Sequence, residues 1–168
     1  MKSSIILSKP LLTPFKSYDE ILPNLWLGNL NACLNKSFLK ENNIKAVVSL
    51  YSPVLKTDFF TEDDIAIFQI KVKDNMSFNS NLIVYNNLDQ IIEFITHYLK
   101  NNHSVLVHCH YGWQRSATVC AAYIMKTYNK SMKDAVEYIQ ERRELSFFPD
   151  VNFLIALRLF ELKLAKKK

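Results

Sequence analysis

Nine consecutive residues constrain this chain more than any others: His108, Cys109, His110, Tyr111, Gly112, Trp113, Gln114, Arg115 and Ser116. A cysteine and an arginine enclose five residues, one of them glycine. The apolar run Val105, Leu106, Val107 leads in, and a helix-like stretch from Arg115 to Tyr128 leads out. Strand, tight loop and helix in that order aim backbone N–H groups and a helix N-terminus at one point, which makes an anion site. A cysteine at its base is expected to be held as thiolate. An arginine at its rim is expected to grip a phosphate through two parallel hydrogen bonds. These are the parts needed to attack a phosphate monoester through sulfur. The chain has only two glycines, Gly28 and Gly112, so the place of each is informative. Gly112 is expected where the backbone turns through dihedrals closed to other residues.

The rest of the chain supports an α/β layout. Residues 1–19 carry Pro10 and Pro14 and read as an N-terminal arm, leaving 20–168 as the catalytic domain. Leu25 to Leu27, Lys45 to Leu50, Ile65 to Val72 and Ser104 to His108 read as strands, the last as a buried central one. Ser37 to Asn42 reads as a short helix. Leu82, Tyr85, Leu88, Ile92, Ile95 and Leu99 recur at three- and four-residue steps, one face of a long helix. Ser131 with Asp134 resembles a capping box, and Pro149 with Asp150 reads as the opening of a last helix. Strands alternating with helices predict one α/β domain. Its mostly parallel sheet of about four to five strands is flanked by helices, and the phosphate-binding loop joins the last central strand to a helix.

The pattern HC-x-x-G-x-x-R-S resembles the signature of cysteine-based protein phosphatases, in their compact dual-specificity branch. The likeness extends over about residues 20 to 165: Ile21 to Gly28 resembles the family's opening strand, and Ile44 to Leu50 the strand that follows. It implies hydrolysis of phosphotyrosine and phosphoserine/threonine in proteins through a phosphocysteine intermediate. Cys109 would be the nucleophile and Arg115 the transition-state ligand, with Ser116 donating to the sulfur when it leaves. His110, Tyr111, Gly112, Trp113 and Gln114 would complete the loop, and His108 would order it. Relatives place a proton donor on a loop at the position of Asp74, which lies 35 residues before Cys109. Asp58, Asp63 and Asp64 are rivals by type, but they precede the third strand and belong at its other end.

This chain departs from the family pattern at Tyr111, Trp113 and Ala117, and His110 adds a titratable ring beside the nucleophile. The two bulky residues either line the pocket mouth or pack beneath the loop. They also leave an RNA 5′-triphosphatase or diphosphatase as an alternative, with the RNA 5′ end as partner. An inactive phosphate-binding module is the third reading, opposed by the retention of Cys109, Arg115, Ser116 and Asp74.

A net charge of +5 and a pI near 9.0 favour anionic partners without naming one. Three cysteines in no recognisable pairing suggest a reducing compartment, the cytoplasm or nucleus. Cys120 falls on the helix after the loop, where a small buried hydrophobe is the default. The run Ile5, Ile6, Leu7 is too short for a membrane segment, so no membrane insertion is expected. His108, Cys109 and His110 are adjacent and do not easily converge on one ion, so neither metal nor cofactor is expected. Oligomeric state is not written in the pattern.

Overall fold

Alternation along the strands decides which side of the sheet each element covers. The computed structural model describes residues 16–53, 55, 60, 61 and 63–167. In chain order the elements are β1 (Tyr18–Leu22), β2 (Leu25–Gly28), α1 (Leu30–Leu34), α2 (Lys36–Glu41), β3 (Ile44–Ser49), β4 (Ala66–Gln69), α3 (Phe78–Lys100), β5 (Ser104–His108), α4 (Arg115–Tyr128), α5 (Met132–Arg142) and α6 (Leu154–Ala165). The five strands form one sheet in the order β1-β2-β5-β3-β4. β1 pairs antiparallel with β2, and every other pairing is parallel. The expected single α/β domain with a mostly parallel sheet is what the chain forms.

Ala46, Val48, Val105 and Val107 point into the larger core, where they meet Leu88, Ile91 and Ile95 of α3 and Ala121 of α4. Val47 and Leu106 point the other way, onto Ala32, Phe38 and Leu39 of the α1–α2 side. The period-two register therefore splits each strand between two cores. β5 is buried along its whole length, as the middle strand of such a sheet must be.

Asparagine does the work that glycine does in most chains. The side chains of Asn29 and Asn35 cap α1 and α2 by accepting from the N–H groups of Ala32 and Phe38. Asn24, Asn43, Asn102 and Asn129 all take positive φ. Asparagine tolerates this left-handed region better than other side chains. Ser131 accepts from the N–H of Asp134 at the start of α5, as its spacing predicts.

Four boundaries differ from the sequence reading. β1 begins at Tyr18, inside the stretch read as an arm, and residues 1–15 lie outside those described. α1 has only five residues and too little periodicity to be seen in advance. The strand expected over 65–72 is ordered as β4 only from Ala66 to Gln69, because it is an edge strand paired on one side by β3. The last helix starts at Leu154 rather than at Pro149, because residues 143–152 are bonded to the phosphate loop instead.

Candidate active site

β5 ends at His108 and α4 begins at Arg115, so the loop lies at the carboxyl ends of the parallel strands, where open α/β sheets place their ligands. Each carbonyl from Cys109 to Gln114 is engaged. His108 Nδ1 lies 3.2 Å from the carbonyl of Cys109, and Leu30 N–H donates to that of His110 at 3.1 Å. Arg143 donates through Nη2 to Tyr111 at 3.5 Å and through Nε to Gly112 at 2.9 Å. Phe147 N–H donates to Trp113 at 2.8 Å, and Thr118 N–H to Gln114 at 2.8 Å. With the carbonyls engaged elsewhere, the peptide N–H groups are what such a loop has left to offer an anion. The N–H of Gly112 donates to Cys109 Sγ at 3.2 Å. Gln114, at the N-cap of α4, provides no side-chain cap to the helix's first N–H groups.

Gly112 has φ +71°, and a Cβ there would stand 2.4 Å from the carbonyl oxygen of Gly28. A Cβ on Gly28 would in turn meet Ala32 Cβ at 2.9 Å. The chain's two glycines thus lie against each other, where the loop crosses the end of β2. Phe147 also takes positive φ, 63°, although its side chain is large and buried. A bulky residue in that region carries strain of about 1–3 kcal/mol that its surroundings must offset. Here its N–H holds the Trp113 carbonyl.

Cys109 is fully buried, and its sulfur lies 3.2 Å from Ser116 Oγ. Arg115 is 5% exposed and donates through Nη1 to the carbonyl of Val72 at 3.1 Å. Its Nε is buried without a hydrogen-bond partner, and Asp74 Oδ2 stands 3.5 Å away. Asp74 also receives a long contact from Asn152 Nδ2, at 3.5 Å to Oδ1. Burial pushes His108 down to about 4, and the charge of Arg115 adds to the effect against the opposing hydrogen bond to Cys109. His108 is therefore neutral at physiological pH.

Asp63 and Asp64 lie before β4, at the opposite end of the sheet from the loop, and Asp58 is outside the described residues. Tyr111 is 59% exposed, whereas Trp113 is half-buried. Their rings belong to a series: Tyr51 stacks on His110 at 5.8 Å, His110 meets Tyr111 edge-on at 4.5 Å, and Tyr111 lies 5.6 Å from Trp113. Cys33 and Cys120 are free and buried, and burial holds both thiols protonated; it pushes Cys33 up to about 12. Among the described residues no cluster of three or more His, Cys, Asp or Glu is placed to hold a metal, and no helix is long and apolar enough to cross a membrane.

Arg143 is the main residue the sequence did not single out. It is 6% exposed, grips two loop carbonyls and is held from behind by Asp19 Oδ2 at 2.7 Å and the carbonyl of Lys16 at 3.1 Å. Its only advance signal is that it is one of four arginines, and Arg142 beside it blurs even that.

This sheet and loop define an α/β domain with a buried cysteine and a buried arginine on one loop at its strand ends. The chain belongs to the dual specificity phosphatase family, whose catalytic-domain model matches residues 25–163. It is 37% identical over 159 residues to mouse dual specificity protein phosphatase 8, covering 94% of this chain and 23% of that protein. It thus spans under a quarter of the length of the mouse and human relatives that it matches at 36 or 37% identity. Dual specificity protein phosphatase 1B of Arabidopsis thaliana is 32% identical over 154 residues, covering 92% of this chain and 87% of that one. The crystal structure of human DUSP28 superposes with a TM-score of 0.77 at 21% identity, over 91% of this chain and 97% of that one.

Proposed function

We propose that the domain hydrolyses phosphate monoesters on phosphotyrosine and phosphoserine/threonine of proteins. The observation that carries this reading is the buried, unpartnered Nε of Arg115 on the loop whose cysteine accepts from Gly112 N–H. An orphaned buried guanidinium N–H is costly unless an anion takes it. In the first step Cys109 Sγ attacks phosphorus; the S–P bond forms as the P–O bond to the leaving group breaks. Asp74 gives its proton to the departing oxygen. In the second step water attacks phosphorus and the S–P bond breaks. Asp74 takes the water proton while Ser116 donates to the leaving sulfur. Arg115 and the loop N–H groups hold the equatorial oxygens through both steps. Free, buried cysteines support a reducing, cytoplasmic setting.

A second reading takes RNA 5′ ends as substrate. It is favoured by the ring series from Tyr51 to Trp113, since unstacked bases lie on exposed aromatic faces. The test offers 4-nitrophenyl phosphate, phosphotyrosyl and phosphothreonyl peptides and 5′-triphosphorylated RNA to the chain, in the presence of a chelator. Turnover of the aryl phosphate and both peptides, with Cys109→Ser at least about 10³-fold slower, is expected. Release of phosphate from RNA alone would move the assignment to the second reading. An inert wild type that still binds vanadate would make the domain a binding module.

A further inference from the structure

Gln114 is the loop residue least explained by phosphate binding. Its side chain is buried and turned away from the cysteine toward the 148–152 segment. Nε2 donates to the carbonyls of Phe148 at 3.1 Å and Asp150 at 2.8 Å. Oε1 accepts from the N–H of Asn152 at 3.1 Å. Both ends of one amide are thus used on a stretch with no regular secondary structure, and the residue so fixed is Asn152. The Asn152 side chain in turn donates toward Asp74 Oδ1, while Arg115 Nε faces Oδ2. Asp74 sits on an irregular segment between β4 and α3, and its side chain is 26% exposed. Asn152 thus donates to this carboxylate while Arg115 faces it as an ion pair at 3.5 Å, and Gln114, the residue before Arg115, holds Asn152.

We infer that Gln114 and Asn152 form a latch that positions the Asp74 carboxyl, so that the phosphate loop orients the proton donor as well as the phosphate. The inference rests on the role proposed for Asp74 above. Asn152 is a positioning residue: it acts on the leaving group only through Asp74. Fixing a carboxyl within reach of the departing oxygen is worth rate in proportion to how badly that oxygen needs a proton. The latch therefore matters for poor leaving groups, the alkoxides of phosphoserine and phosphothreonine, more than for activated aryl esters.

The experiment compares wild type, Asn152→Ala, Gln114→Ala, Asp74→Ala and the double variant Asp74→Ala/Asn152→Ala. Each is assayed on phenyl phosphate and on 4-nitrophenyl phosphate. Asn152→Ala is expected to lower kcat about tenfold on phenyl phosphate, and clearly less on 4-nitrophenyl phosphate, with little change in KM. In the Asp74→Ala background the same substitution should change nothing further, because its target is gone. Equal losses on both esters, or losses that add in the double variant, would overturn the latch. A second measurement does not need turnover. The side-chain amide ¹H–¹⁵N signals of Asn152 should move toward free-amide positions in Gln114→Ala and in Asp74→Ala. Gln114→Glu, which keeps the acceptor for Asn152 N–H, should move them less. Unmoved signals in Gln114→Ala overturn the latch even in an active enzyme. Signals that move in the variants, with a wild type that turns over neither ester, leave the latch standing and remove the proposed function.

Discussion

The segment that carries Cys109 and the segment that carries Asp74 are built on opposite principles. The first is clamped: its carbonyls are engaged by α1, α4 and the segment after α5, its cysteine is fully buried and its glycine fits against another glycine. The second is an exposed, irregular stretch whose carboxylate is touched at 3.5 Å by Arg115 and at 3.5 Å by Asn152. Binding a phosphate demands a cradle that is complete before the ligand arrives, since preorganised donors cost no reorganisation. Donating a proton to leaving groups of different shape demands a group that can adjust. A site with the proposed activity needs both, and the chain keeps the two segments in separate elements.

The contrast predicts that substitutions around the clamp cost fold stability and substitutions at the acid do not. The largest cost is expected at Arg143. Arg143→Ala removes the donor to two loop carbonyls and leaves Asp19, 13% exposed, without its cation. Breaking so well buried a pair costs about 4 kcal/mol. That is a fall in Tm of roughly 10 °C for a domain of this size, measurable by thermal unfolding. Turnover should fall with it, and a variant as stable as wild type would show that the loop holds its shape unaided.

Next comes acid. The folded pKa of His108 is about 4, below the ordinary value near 6.5 for the unfolded chain. Between those values the unfolded chain binds the extra proton, so stability is complete above pH 6.5 and falls as pH drops toward 4. By pH 5 the loss from this one group is about 2 kcal/mol. Urea unfolding at pH 7 and pH 5 reads it directly. His108→Asn should flatten the slope; an unchanged slope would place the acid sensitivity elsewhere.

What the sequence made legible follows the same division. The loop could be read because each part is local: β5, Cys109, Gly112, Arg115 and the start of α4 are consecutive, and period and spacing carry them. The long α3 was legible from its apolar steps, and the central place of β5 from its apolar run Val105, Leu106, Val107. The clamp was not legible, because Asp19 and Arg143 are 124 residues apart and meet only when β1 and α5 are both in place. The 143–152 segment shows the cost of reading locally. Pro149 and Asp150 look like a helix start, but the backbone there is held by Gln114 and Trp113, residues that no short window contains. Propensity gave way to tertiary bonds in that stretch. Asp74 was singled out by its position relative to Cys109, and its neighbour Asn152 was not, because it lies 78 residues away along the chain.

The smallest stability change is expected where the catalytic change is large. Asp74→Ala removes a partly exposed carboxylate whose nearest donors stand at 3.5 Å, outside good hydrogen-bond geometry. Arg115 keeps its bond to the Val72 carbonyl, so its guanidinium is not left adrift. The fold should lose less than about 1 kcal/mol, because the ion pair is long and no short hydrogen bond goes with it. Turnover of phenyl phosphate should nevertheless fall by about 10²-fold or more, the usual worth of a positioned acid. Anion affinity should move the other way, because a negative charge beside Arg115 has gone; vanadate inhibition measured on the residual activity reads it. If Asp74→Ala unfolds at much lower temperature than wild type, the acid segment is part of the scaffold. The separation between a clamped cradle and an adjustable donor then fails.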